Sequence, residues 1–162
     1  MLDGLPLDTV PLDVEEPAAL RQALDGCELV FHCAGFYPGF TDRREQAVAR
    51  GLDQIRRVFD VFRDARVPRI VYTSSAATIA PVAGRPTTEE DREPWPLTHW
   101  RPLYATVKTA MEHEVERYAR QGMPVAIVNP SLCVGEYDAH PFSGRLVLLF
   151  AKGRMPCYLD HQ

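Results

Sequence analysis

The chain has 162 residues, 46% hydrophobic and 25% charged, with a net charge of −4 and both signs interspersed. That is enough for one domain with a real core, and the mixed charge pattern excludes both a basic nucleic-acid-binding block and an acidic solvating tail. The longest fully apolar run, residues 146–151, is far too short to span a bilayer, so neither nucleic acid nor membrane is an expected partner.

The chain opens Met-Leu-Asp-Gly-Leu-Pro, without the basic and apolar segments of an export signal. Its four cysteines, Cys27, Cys33, Cys133 and Cys157, form no C-x-x-C pair. Reduced thiols and a cytoplasmic setting are therefore expected. The five histidines are scattered without an H-E-x-x-H, and no metal site is expected.

In chain order, residues 9–13 read as a short strand ending at Asp13-Val14. Residues 17–25 read as a short amphipathic helix, with Leu20, Ala23 and Leu24 inward and Gly26 as its stop. Residues 28–33 form a buried-type strand followed by Ala34-Gly35, and 36–41 a loop carrying Pro38 and Gly39. Over 42–65, Val48, Gly51, Leu52, Ile55, Val58, Phe59 and Phe62 recur at spacings of three and four, the inward stripe of a long helix. Residues 69–73 are the next strand, ending at Ser74-Ser75. The stretch 80–101, rich in proline, threonine and acid, is an irregular loop, long enough to suggest a functional one. A second long helix covers 102–121, with Pro102 in its first turn and Gly122 at its C-terminal cap. Residues 124–128 are a strand ending at Asn129-Pro130, and 142–152 a last helix.

Strands alternating with helices predict an α/β fold, a parallel sheet with helices on both faces. In such sheets the ligand crevice lies outside the carboxyl ends of the strands. Ala34-Gly35, Ser74-Ser75 and Asn129-Pro130 all follow strands. Within the second long helix, Tyr104 and Lys108 are four residues apart and so share one face. An ammonium beside a phenol favours the phenolate, so such a tyrosine can exchange a proton with an alcohol or carbonyl near neutral pH. A hydroxyl from Ser75 would hold the same oxygen.

The ordered series Leu12-Asp13-Val14, Val30 to Gly35, Val71 to Ala76, Tyr104 to Lys108, Val128 to Ser131 and Val134-Gly135 resembles the extended short-chain dehydrogenase/reductase superfamily, in its NAD-dependent epimerase/dehydratase type. Within it the chain is most similar to hopanoid-associated sugar epimerases and dihydroflavonol-reductase-like proteins. The resemblance implies one partial NAD(P)-binding domain over residues 1–162, an incomplete Rossmann-like doubly wound parallel sheet. It implies Ser75, Tyr104 and Lys108 as catalytic residues. Tyr104 would be the general acid/base, Ser75 would orient the substrate oxygen, and Lys108 would bind the nicotinamide ribose and tune Tyr104. Asp13 would accept from the adenine amino group with Val14 packed beside it. Cys33, Ala34 and Gly35 would line NAD or NADP, and Pro130, Ser131 and Leu132 would flank the nicotinamide. The substrate would be a small molecule, sugar-nucleotide-like or a hydroxy/keto compound. A homodimer through the two long helices is the pairing the resemblance implies.

The family pattern is not matched everywhere. No glycine-rich turn is present to cradle a dinucleotide pyrophosphate. Val48 and Leu52 stand where the family has asparagine and threonine, and Val107 where it commonly has serine. The alternative expectation is thus a truncated, catalytically inactive fragment or a partner-binding remnant, exposing the apolar edge of its 28–33 strand. Single residues also keep a plainer reading. Asp13 suits a helix N-terminal acid, Ser74-Ser75 a local turn, His32 a packed strand residue, and Tyr37 either a substrate-facing ring or a loop cover.

Overall fold

The computed structural model describes residues 4–91, 102–135 and 144–155. The chain divides into two compact units, Asp8–Pro130 and a smaller one made of Met1–Leu7 with Ser131–Gln162.

The larger unit holds three parallel strands, β1 (Val30–His32), β2 (Ile70–Thr73) and β3 (Val125–Val128), hydrogen-bonded in that order. Register places Val30 beside Ile70 and Ile70 beside Val125. Side chains alternate across a sheet, so Val30, His32, Ile70, Tyr72, Val125 and Ile127 share one face. Against that face lie α2 (Arg44–Asp64) and α3 (Leu103–Arg120), while α1 (Pro17–Ala23) packs on α2. The predicted stripe of α2 is the core: Ile55, Val58, Phe59 and Phe62 are buried. Its outward face carries ion pairs such as Arg57–Asp53 at 2.8 Å and Arg63–Asp60 at 2.9 Å.

Phe59 is the centre of the aromatic packing, with ring centroids 5.4 Å from Phe62 and from Tyr118 and 5.9 Å from Tyr72. Between α2 and α3, Glu114 is clamped by Arg56 at 2.9 Å and Arg117 at 2.6 Å. Burial alone would raise its carboxyl, but the two guanidiniums outweigh this and hold it below the usual carboxylate range.

The incomplete Rossmann-like α/β fold is present. Within this unit the helices gather on one face of the sheet; the other carries Phe31, 66% exposed, with Val71, Ala126 and Val128. Residues 9–13 are not a strand. A strand persists only in a ladder, and no described segment pairs with this one. Leu12 and Val14 nevertheless pack on the core. The other elements sit where periodicity put them, several with shorter ends, and residues 142–143 of the predicted last helix lie outside the described part. Pro102 caps α3 from outside its first turn, and Gly122 follows with φ +92°, the left-handed conformation glycine adopts freely.

The smaller unit contains α4 (Gly144–Ala151). Of the predicted loop 80–101, residues 92–101 lie outside the described part. Its first half is closed on itself by Arg85, which donates twice to Asp91 at 2.7 and 2.5 Å.

Candidate active site

The carboxyl ends of the three strands form one edge of the larger unit. β1 runs into Cys33-Ala34-Gly35, β2 into Ser74-Ser75 and β3 into Asn129-Pro130. Backbone hydrogen bonds tie the last two together: Ser74 N–H donates to Val128 O at 2.8 Å and Ala76 N–H to Pro130 O at 2.9 Å. Cys33 Sγ lies 3.4 Å from Thr73 Oγ1. Each strand therefore delivers its small or polar pair to the same side, as the alternating pattern predicted.

From α3, Tyr104 and Lys108 face this edge. Lys108 Nζ is 5.9 Å from the Tyr104 ring centroid. Lys108 is 8% exposed, and burial pushes its ammonium below the usual lysine range. The absence of a side chain at Gly35 makes room for it, because a Cβ built there would come within 2.9 Å of Nζ. The Tyr37 ring lies 4.9 Å from Tyr104, tilted by 37°. The structure thus brings Gly35, Tyr37, Tyr104 and Lys108 into one cluster.

Ser75 leaves β2 and caps a 3-10 turn, Ala76–Thr78, its Oγ accepting from Ala77 N–H at 3.2 Å. That turn packs on α3. Behind it lies a group that sequence reading missed. The buried Glu112 carboxylate accepts from Ser74 Oγ, from Thr78 Oγ1 at 2.9 Å and from Asn129 Nδ2 at 2.8 Å. Its one sequence signal is spacing: Tyr104, Lys108 and Glu112 fall at i, i+4 and i+8 of one helix.

Asp13 sits in a turn before α1. Its Oδ1 accepts from Glu15 N–H at 2.9 Å, so half of the carboxylate serves the turn. Glu15 accepts two hydrogen bonds from Arg50, both at 2.8 Å, and one from Gln54 at 3.1 Å, which fixes this turn to α2. Gln54 Oε1 also accepts the Phe36 N–H, so the same side chain reaches the loop after Gly35. Val14 is half-buried beside Asp13.

Pro130 ends the larger unit, whereas Ser131 and Leu132 belong to the smaller one, where both are exposed. Where the family has other residues, Val48 and Leu52 are half-buried on α2, and Val107 is fully buried against Gly51. His32 is a core residue stacked on Tyr72 with centroids 5.9 Å apart. Burial, and then the Lys108 charge, push its imidazole down to about 4.

The family model of the NAD dependent epimerase/dehydratase family matches residues 3–153. The chain belongs to this family. Sterol demethylase protein B of Methylococcus capsulatus is 32% identical to it, over 98% of this chain and 48% of that protein. A dihydroflavonol 4-reductase-like protein of Synechocystis sp. is 31% identical, over 98% of this chain and 46% of that protein. Among solved structures, a nucleoside-diphosphate-sugar epimerase from Pseudomonas aeruginosa superposes with a TM-score of 0.74 at 29% identity, covering 91% of this chain and 45% of that one. The chain therefore spans about half the length of the curated relatives it matches.

The family's cofactor is a nicotinamide dinucleotide. The open backbone at Gly35 beside a buried lysine suits the ribose end of such a molecule, and the remaining Asp13 oxygen suits its adenine. No glycine-rich turn is present for the pyrophosphate. Among the described residues, no helix is long and apolar enough to cross a membrane.

Proposed function

We propose that this chain carries the proton-transfer half of an NAD(P)-dependent oxidoreductase or epimerase, acting on a hydroxy/keto or sugar-nucleotide-like small molecule. The observation that carries the reading is the Lys108 ammonium, buried beside the Tyr104 ring and opposite the bare backbone of Gly35. When bound, the dinucleotide supplies the hydride acceptor or donor. Tyr104 Oη exchanges a proton with the substrate oxygen, and Ser75 Oγ holds that oxygen. Lys108 keeps positive charge beside the phenol and donates to the ribose hydroxyls. Cys33, Ala34 and Gly35 present small side chains and backbone to the cofactor, and Pro130 lies on the nicotinamide side. Pairing of two copies through α2 and α3, and a cytoplasmic location, belong to the same reading.

Calorimetric titration of the 162-residue chain with NAD⁺ and NADP⁺ tests it. Saturable binding that weakens at least about tenfold in Tyr104→Phe/Lys108→Ala supports the site. A folded chain that binds neither cofactor at about 1 mM overturns it. A second reading, a partner-binding remnant without catalysis, is favoured by one observation, the exposed Phe31 on the sheet face opposite α2 and α3.

A further inference from the structure

We infer that Glu112 is the positioning residue of this site, locking the Ser75 loop to the helix that carries Tyr104 and Lys108. The inference rests on the catalytic reading above. Glu112 is 4% exposed, and a buried charge persists only where hydrogen bonds replace water. Three of its donors come from the segments that follow β2 and β3. Ser74 follows β2, Thr78 closes the 3-10 turn and Asn129 follows β3, and all three reach the same oxygen, Oε2. Two of them also reach Ser75 itself: Thr78 Oγ1 lies 2.8 Å from Ser75 O, its one proton shared between that carbonyl and Oε2, and Asn129 Nδ2 lies 3.2 Å from the same carbonyl.

The chemistry of the donors suits a carboxylate at this place. Ser74 and Asn129 both donate to Oε2, while the single Thr78 proton is divided between Oε2 and Ser75 O and its oxygen accepts from Asn129 at 2.9 Å, so an oxygen that can take two or three donors at once suits this position. A glutamine keeps the size but offers one weaker acceptor and two new donors. Ser75 is reached through its neighbours. Its backbone carbonyl is held by Thr78 and Asn129, its Oγ accepts from Ala77, and Glu112 orders both of those neighbouring holders. Because Tyr104, Lys108 and Glu112 share one face of α3, the helix fixes Ser75 relative to the proton donor as one rigid part.

The test compares wild type, Glu112→Gln, Ser75→Ala and the double variant of the 162-residue chain. Hydrogen exchange is followed at the Ala77 amide, which donates to Ser75 Oγ, and at the Phe59 amide in α2 as a global reference. In Glu112→Gln we expect Ala77 exchange to rise about tenfold with Phe59 unchanged, the loss of one charge-assisted hydrogen bond expressed locally. NAD⁺ affinity stays within about twofold, and NADPH-dependent reduction of benzaldehyde falls about tenfold in either single variant with no further fall in the double. Unchanged exchange at Ala77, an equal rise at Phe59, or losses that multiply in the double variant overturn the inference. A wild-type chain with no turnover sinks the catalytic reading alone, and the exchange comparison still decides the role of Glu112.

Discussion

Gly35 has no Cβ, and the Lys108 ammonium occupies the space beside it. A methyl there would sit 2.9 Å from Nζ, the mobile tip of a flexible side chain. Gly35→Ala is therefore expected to leave unfolding midpoints nearly unchanged while displacing the ammonium, weakening NAD(P)⁺ binding about tenfold by calorimetry. His32 poses the opposite problem, a titratable ring with no catalytic part in the reading above. Its imidazole falls from 6.5 to about 4 on folding. Above pH 6.5 both folded and unfolded chains are neutral there. Below it the unfolded chain takes the proton first, so stability is lost as pH falls toward about 4, by at most about 3 kcal/mol. Urea unfolding between those limits should show a shallower loss in His32→Phe than in wild type, since a phenyl ring fits among Phe59, Phe62 and Tyr72 and carries no proton. Equal slopes in the two proteins would refute this account. The identity of His32 as a packed residue was legible from its place inside a strand. The Glu112 hub was not, because its partners lie 17 to 38 residues away and nothing local marks them.

At the scale of elements, the contact between α2 and α3 decides how closely the site's helix can approach. It passes over Gly51, where an added Cβ would lie 2.9 Å from Val107 Cγ1 and 3.2 Å from Met111 Sδ. Both neighbours are fully buried, so neither can give way. Alanine is worth about 1 kcal/mol more than glycine in a helix, but overpacking costs about 2 kcal/mol. Gly51→Ala should thus lose about 1 kcal/mol and lower Tm by about 3 °C in a thermal melt. A rise in Tm would show that the helices can separate at this point. The helices and strand ends were legible because an apolar stripe of period 3.6, or a short buried run, is written in consecutive residues. Residues 9–13 have strand-like composition too, yet a strand needs a neighbour, and composition cannot supply one. The Tyr104–Lys108 pair was legible for the converse reason: helix geometry alone makes residues four apart adjacent.

For the whole molecule, the exposure of Phe31 has a solution consequence. Phe31 projects from β1, which among the described residues pairs only with β2. An open strand edge beside exposed apolar side chains favours association. Sedimentation velocity should show concentration-dependent self-association of wild type that Phe31→Lys reduces, and identical profiles would mean this face takes no part. The sequence by itself determined the α/β class, the order of its elements, the family and the pairing of Tyr104 with Lys108, because periodicity, turn residues and helical spacing act between near neighbours. Only the tertiary structure decided that the larger unit's helices gather on one face, that Gly35 makes room for Lys108, and that Glu112 gathers Ser74, Thr78 and Asn129. Those contacts join segments far apart in the chain, and they form only when the packing of α3 against the strand ends brings their few polar groups together away from water.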